Sequence, residues 1–340
     1  MKNLSFLEKF IFLVNSILAV LFLISLVIPY IKPSIFPYFS ILSLFSPLII
    51  LLNILFIFYW IAKLKKQFLL SVLILLIGYN SVLAFINFSN NSSNMTENKV
   101  SIISYNVRLF NLYNWIDEND IEDQINSFLV DKSPDIICLQ EYRGNIIDLP
   151  NYPYRFEFLR GNNIKYGQVI FSKFPILNKG SVDFSSMSNN AIFVDLKIHN
   201  DTIRFYNVHL QSFALENEID LSTMNTIQNK EIVTNLSNTF ITQQRQVDVL
   251  RNSIDNSPYK NILSGDFNNT AFSYTYKNLI HGFKDSFTLK GNGLGITFNY
   301  NFIPLRIDFI LVDDNFRVNQ FKTYKINLSD HEPIFSEFYF

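Results

Sequence analysis

The sequence predicts an α/β domain preceded by three transmembrane helices, and three observations carry that prediction. Residues 1–90 hold three charge-free apolar segments of about 20 residues, each enough to cross the roughly 30 Å hydrocarbon core of a bilayer as a helix. From residue 99 onward, short β-branched and aromatic runs alternate with stretches of helical periodicity. Several of those strand-like runs end in Asn, Asp, Glu or His, which gathers polar side chains at strand ends.

The three apolar segments are Phe10–Ile28, Ser40–Trp60 and Phe68–Phe88. The first has the length of a signal peptide, but two more spans follow it and no small-residue cleavage pattern ends it, so it reads as an anchor. A soluble helical core is the alternative for all three. Pro47 and Asn53 fall inside the second segment, where a kink and one buried amide contact are expected. Lys63, Lys65 and Lys66 crowd the loop after the second segment, whereas the loop before it holds only Lys32. By the positive-inside rule the Lys-rich loop and the N-terminus, with Lys2 and Lys9, are cytoplasmic. Three crossings then put the rest of the chain outside the cytoplasm, most simply beyond a bacterial inner membrane. Residues 91–98, rich in Asn and Ser, read as a linker.

Charge divides unevenly. Residues 1–97 carry six Lys against Glu8 and Glu97, which leaves 22 Lys and Arg against 27 Asp and Glu for the remainder. A domain near −5 has no long-range attraction for a nucleic-acid backbone, although a local basic cleft remains compatible with it. The one cysteine, Cys138, lies in an apolar run, which excludes an intrachain disulfide and a Cys-based zinc site.

Residues 99–340 are expected to form one extramembrane domain. Lys99–Val107 is a strand ending at Asn106, with Arg108 beyond. Ile116–Val130 has helical spacing, and Asp135–Leu139 is a buried strand that delivers Gln140 and Glu141. Tyr166–Lys173 is a strand. Ile192–Ile198 and Ile203–His209 form a hairpin across Asn200-Asp201. The second arm repeats the Tyr-Asn-Val of residues 105–107 at 206–208, which hints at two half-domains each bringing a strand end to one site. Residues 214–238, with Glu216 and Glu218, suit a mobile flap or a solvated loop. Thr239–Ile254 has one apolar face and should pack on a sheet.

The richest stretch is Asn261–Asn268. Ile262 and Leu263 read as buried strand, Gly265 ends it, and Asp266 and Asn268 then point to one side with Phe267 turned inward. An acid beside an amide suits a site for a metal-bound phosphate, while a plain Asp/Asn turn is the alternative. Ser273–Phe287 is a short helical region, and Gly291–Gly295 is a turn that lacks the context of a nucleotide fingerprint. Leu305–Leu311 alternates so that Arg306 and Asp308 share a face, as a buried ion pair would. Ser329-Asp330-His331 precedes a last strand, Ile334–Phe340.

Asn106, Glu141, Asn207 with His209, Asp266 with Asn268, Arg306 with Asp308, and Ser329-Asp330-His331 occur in an order that resembles the endonuclease/exonuclease/phosphatase superfamily. The likeness runs over about Val100–Phe340. It implies a four-layer α/β sandwich, two mixed sheets face to face with helices outside, and metal-dependent hydrolysis of phosphodiesters with Mg²⁺ or Mn²⁺. It implies Glu141 as first metal ligand, joined by Asn106 and Asp330. It implies His331 as general base with Asp308 fixing its tautomer, and Asp266 as base, acid or orienter of water. Asn106, Asn207, Asn268 and His209 would bind phosphoryl oxygens, and His209 would also serve as general acid. The family's Gly-Ala pattern before its Ser-Lys strand is here Gly167-Gln168, and no Arg/Lys-rich DNA-wrapping loop is present. The expected substrate is therefore a phosphodiester, either nucleic acid or, as in a phospholipase C or sphingomyelinase, a lipid head group. A catalytically inactive binding module of the same fold is the alternative of another class; a transporter is disfavoured because no charge lies within the spans.

Overall fold

The computed structural model describes residues 4–89, 99–184, 189–213, 226–300 and 303–339. The expected linker at 91–98 and the start of the 214–238 region, with Glu216 and Glu218, lie outside the described residues. The chain divides into two compact units.

The first unit contains the N-terminal helices. Helix α1 (Phe6–Val27) opens on a reciprocal cap: the Glu8 N–H donates to Ser5 Oγ and the Ser5 N–H to Glu8 Oε2. After α2 (Pro37–Ile41) a 3₁₀ turn at Leu42–Phe45 leads into α3 (Ser46–Ala62). The interruption thus falls just before Pro47, which sits in the first turn of α3, where a missing N–H costs nothing. Phe6–Tyr30 and Pro37–Ala62 are long and apolar enough to cross a membrane. The third expected span is instead a pair, α4 (Phe68–Ile77) and α5 (Tyr79–Phe85), meeting at 87°. Two helices therefore qualify, or three spans if the bent pair counts as one. The break comes at Gly78, a poor helix former, and a Cβ there would lie 2.5 Å from the Phe22 ring.

Polar groups inside this bundle satisfy one another. Asn15 Nδ2 donates to Ser71 Oγ (2.8 Å), Ser71 Oγ to Asn53 Oδ1 (3.2 Å), and Trp60 Nε1 to Asn15 Oδ1 (3.1 Å). Asn53 closes the set by donating to Ile49 O, which is the buried amide contact the sequence suggests. Three helices are tied in rotational register by bonds that have no competing water in an apolar surrounding. The same unit includes residues much later in the chain, Thr270–Lys277 and helix α7 (Thr226–Asp255) as far as Gln244. Phe272 packs with Phe22, Ile49 and Ile50.

The second unit is built on two six-stranded mixed sheets. In sheet one the order is β15 (Arg317–Thr323), β16 (Ile334–Tyr339), β2 (Lys99–Asn106), β3 (Ile136–Arg143), β5 (Tyr166–Ser172), β4 (Tyr154–Arg160). In sheet two it is β10 (Phe283–Asp285), β14 (Asp308–Asp313), β9 (Lys260–Asp266), β8 (Asp201–His209), β7 (Asn190–Ile198), β6 (Ile176–Asp183). Two small ribbons complete the set, β1 (Asn87–Phe88) with β11 (Asn292–Gly293) and β12 (Phe298–Tyr300) with β13 (Ile303–Leu305). One shared core joins the sheets: Val100, Ile102, Ile136 and Ile170 from sheet one meet Ile192, Val194, Phe205, Ile262 and Ile310 from sheet two. Cys138 lies in it, and burial pushes its thiol up to about 12. The other face of sheet one buries Ile103, Tyr105 and Ile137 under α6 (Ile121–Lys132), through Ile121, Ile125 and Leu129. The second half of α7 lies on sheet two, where Tyr206 and Ser253 share a hydrogen bond. The short helices α8 (Tyr274–Leu279) and α9 (Ser286–Lys290) complete the chain's helices among the described residues.

Each sheet has one parallel pair at its centre, β2 with β3 and β8 with β9. The first strand of each pair carries the repeated Tyr-Asn-Val, so the two halves are laid out alike.

Candidate active site

Because β2 runs parallel to β3 and β8 to β9, the ends of these strands emerge at one edge of their sheets, and the candidate residues emerge with them. Asn106 ends β2, His209 ends β8 and Asp266 ends β9; Asp308 begins the antiparallel β14. Within sheet two Asp266 lies between His209 and Asp308 in register. Glu141 follows where β3 bulges, in a left-handed conformation (φ 49°) that re-aims its side chain. Gly265 (φ 139°) lets the two backbones approach: a Cβ there would stand 2.0 Å from Val208 O.

The side chains form one linked set. His331 Nδ1 lies 2.9 Å from Asp308 Oδ2, and its Nε2 lies 3.6 Å from Asp266 Oδ2. Asn106 Nδ2 donates to both Glu141 Oε1 (3.3 Å) and Asp266 Oδ2 (3.1 Å). The Asn268 backbone N–H and Nδ2 both donate to Asp266. Phe298 packs its ring on His331 at 4.7 Å.

Burial sets the protonation states. Asp266 is pushed up to about 7, by burial first, with Asp308 adding and the His331 charge opposing. Glu141 is raised by burial and by the neighbouring Asp330. For His331 burial disfavours the charge, but Asp308, Asp266 and Asp330 together outweigh it and hold the imidazole well above its usual range. His209 lies 3.7 Å from Glu141 Oε1 and 3.8 Å from Asp266 Oδ2, distances that would suit an ion pair. Burial instead holds it down to about 3, and its Nε2 has no hydrogen-bond partner. It is a neutral imidazole with an orphaned ring nitrogen aimed at two acids.

The donor set fits a hard divalent cation. Glu141 and Asp266 offer carboxylate oxygens whose ionised forms burial disfavours, the situation that a bound cation relieves, and Asp330 lies close to Glu141. Asp266, Asp308 and His331 also bring ligand atoms within 4.8 Å of one another. The 2.9 Å bond between Asp308 and His331 already engages one ligand atom of each.

Four sequence expectations change. Asn207 offers nothing to a phosphate: its Nδ2 donates to Leu139 O and Val169 O, and its Oδ1 accepts from Gln140 Nε2, so it ties the two sheets together one step below His209. Asn106 turns its side-chain oxygen away from the acids expected to share a metal with it: Oδ1 accepts from the Arg108 N–H and the amide hydrogens face Glu141 and Asp266. Asn268 uses its amide hydrogens on Asp266 and Leu210 O, which makes it a support for Asp266 rather than a phosphate donor. Arg306 does not pair with Asp308. The expected strand breaks after Leu305, and Arg306 Nη1 meets Asp285 Oδ2 at 2.7 Å instead.

Two groups escaped sequence reasoning. Thr297 Oγ1 accepts from the Ile307 and Asp308 N–H groups and so holds the backbone of the His331 partner in place. Arg108 pairs with Asp330 Oδ2 at 3.3 Å and stacks over Trp115, a contact no spacing rule announces.

Comparison with known proteins agrees with the fold. The model of the Endonuclease/Exonuclease/phosphatase family matches residues 103–331, and that of a domain of unknown function (DUF8431) matches residues 8–85. No curated protein matches the sequence. Among solved structures, the chain is similar to an endonuclease/exonuclease/phosphatase from Bacteroides vulgatus, at 17% identity and TM-score 0.55 over 71% of this chain and 99% of that one. It is similar to D. rerio TDP2 complexed with single-strand DNA product, at 18% identity and TM-score 0.53 over 71% and 99%. It is also similar to the human Nocturnin catalytic domain with bound sulfate, at 15% identity and TM-score 0.53 over 72% and 95%. At these identities the likeness speaks for the fold.

Proposed function

Because this chain belongs to the endonuclease/exonuclease/phosphatase family, we propose that it is a divalent-metal-dependent phosphoesterase that hydrolyses phosphodiester bonds and is held at a membrane by its N-terminal helices. The observation that carries the reading is the unbroken chain of contacts from Asp308 through His331 and Asp266 to Asn106 and Glu141.

In this proposal Glu141, with Asp330 nearby, holds Mg²⁺ or Mn²⁺. The cation supplies the positive charge that polarises a phosphoryl oxygen and offsets the developing charge on the leaving oxygen. The remaining work falls to side chains. Asp308 accepts a hydrogen bond from Nδ1–H of His331, so that above the pH at which the ring gives up its second proton Nε2 is the atom free to take a proton from water. Asp266, steadied by Asn106 and Asn268, orients that water beside Nε2. His209, neutral and with its Nε2 unpartnered, donates a hydrogen bond to a phosphoryl oxygen; held neutral, it has no acidic proton to give the leaving oxygen, so the general-acid role expected from the resemblance does not fall to it. If the bent α4–α5 pair is one crossing, the Lys63–Lys66 loop favours a catalytic domain outside the cytoplasm.

The test uses full-length protein in detergent with Mg²⁺ or Mn²⁺ and bis(p-nitrophenyl) phosphate. Turnover that EDTA abolishes, and that His331→Ala lowers by at least about a hundredfold, supports the proposal. Metal-independent turnover, or turnover that His331→Ala leaves unchanged, overturns it.

A further inference from the structure

Directly after Asn106 the backbone enters an unusual conformation. Arg108, Leu109, Phe110 and Asn111 have φ of 40°, 53°, 54° and 57°, four consecutive non-glycine residues in the left-handed region. Each is strained, and such a run persists only where its surroundings over-determine it. Here they do. The Arg108 N–H donates to Asn106 Oδ1, and the Phe110 N–H to Val107 O. Phe110 is buried against Tyr142. Asn111 clamps the far end, donating from Nδ2 to Ile116 O and accepting from the Ile116 N–H at Oδ1.

The clamped loop displays two aromatic rings. Tyr113 is 59% exposed and Trp115 37% exposed, and they meet edge to face at 5.1 Å. Arg108 covers one face of Trp115 at 4.3 Å and reaches Asp330 Oδ2, beside His331, with Nε. A fixed aromatic surface is thus connected through one guanidinium to the rim of the candidate active site. Rigid exposed rings next to a phosphate-handling site favour a planar ring carried by the same substrate, since any base offers a face for stacking. The acidic balance of this part of the chain argues against long nucleic acid, which needs an extended basic track.

We propose that Trp115 and Tyr113, held by the Arg108–Asn111 turn, form a specificity-determining platform that stacks the base of a small nucleoside phosphoester. The platform rests on the phosphoesterase reading above, of which it names the substrate class.

The test compares two chromogenic probes with the same leaving group, the p-nitrophenyl ester of thymidine 5′-monophosphate and methyl p-nitrophenyl phosphate. The full-length protein should prefer the base-bearing probe in kcat/KM. Trp115→Ala should cut that preference roughly tenfold through KM, Tyr113→Ala should cut it less, and Trp115→Phe should retain most of it. A second readout needs no turnover. The chain has two tryptophans, and Trp60 is fully buried among the N-terminal helices. Thymidine 5′-monophosphate should therefore quench fluorescence in the wild type and not in Trp115→Phe. A preference that Trp115→Ala leaves unchanged overturns the platform, as does the absence of quenching. If the wild type turns over neither probe, the phosphoesterase reading falls, and quenching alone decides the platform.

Discussion

Asp308→Asn is the sharpest perturbation of the proposed chemistry, because it removes one charge and almost no volume. Asp308 is buried, and its Oδ2 lies 2.9 Å from His331 Nδ1. Thr297 holds its backbone, so the asparagine should occupy the same place. A hydrogen bond to a charged group contributes about 1.5–3 kcal/mol, and losing it as the imidazole becomes charged slows the reaction about 10- to 150-fold. The amide can also turn its Nδ2–H toward His331 Nδ1, which moves the ring proton to Nε2, the atom that has to accept one. In other enzymes a wrong tautomer of this kind lowers kcat by about 10⁴. The combined expectation is a loss of roughly 10³ in kcat with KM nearly unchanged. The assay is hydrolysis of bis(p-nitrophenyl) phosphate with saturating Mn²⁺, with circular dichroism as a control for folding. A folded Asp308→Asn protein within about fivefold of wild type across the pH range would refute the proposed role of the pair.

The remaining predictions address the scaffold and the ion. Gly265→Ala places a Cβ 2.0 Å from Val208 O at a φ of 139°, so β8 and β9 must part; stability should fall by more than about 3 kcal/mol in denaturant titration, and a fall under 1 kcal/mol would contradict the close approach. Ser71→Ala should destabilise the N-terminal bundle by about 0.6–2 kcal/mol, because it leaves Asn15 Nδ2 and Asn53 Oδ1 without this partner; thermal unfolding in detergent that does not change would argue against the network. Without metal, the folded state keeps protons on Asp266 up to about pH 7, which the unfolded chain loses near 3.8, and on His331 above its ordinary 6.5. His209, held neutral down to about 3, gives the opposite slope up to about pH 6.5 and offsets Asp266 there, so stability should fall as pH rises above about 6.5, and Mg²⁺ should stabilise more at pH 8 than at pH 5. Melting temperatures with EDTA that climb over that range would reverse the sign and sink the argument.

Much of the site could be read from strand ends alone. An apolar run followed by one polar residue reports both that a side chain is presented and where along the strand it lies, which is why Asn106, Glu141, His209, Asp266 and the 329–331 segment were legible. Depth was not. Period-two alternation puts Asn207 and His209 on one face, but only the partner sheet decides that the deeper one is enclosed by Leu139 O and Val169 O. Orientation of an amide was equally hidden, since the Arg108 N–H that turns Asn106 belongs to a left-handed turn with no glycine to announce it. The third apolar segment has the length of a span, but its bend depends on Gly78 meeting Phe22, a residue 56 positions earlier. Similarly, no local pattern says that Thr270–Lys277 belongs with the N-terminal helices, because that grouping rests on distant contacts such as Phe272 with Ile50.

Strand β2 takes one of its two neighbours, β16, from the far end of the chain, with Ser104 opposite Ile334 and Lys99 opposite Tyr339. During synthesis, β2 leaves the ribosome long before residues 334–339 and stays open on one side until they have been translated. That exposed edge is a place where a nascent chain can mispair, and closing it over so long a loop is slow. His331 arrives in the same final stretch. Translation thus acts as a timer: a chain released early lacks both the strand that seals the sheet and the imidazole on which the proposed chemistry turns.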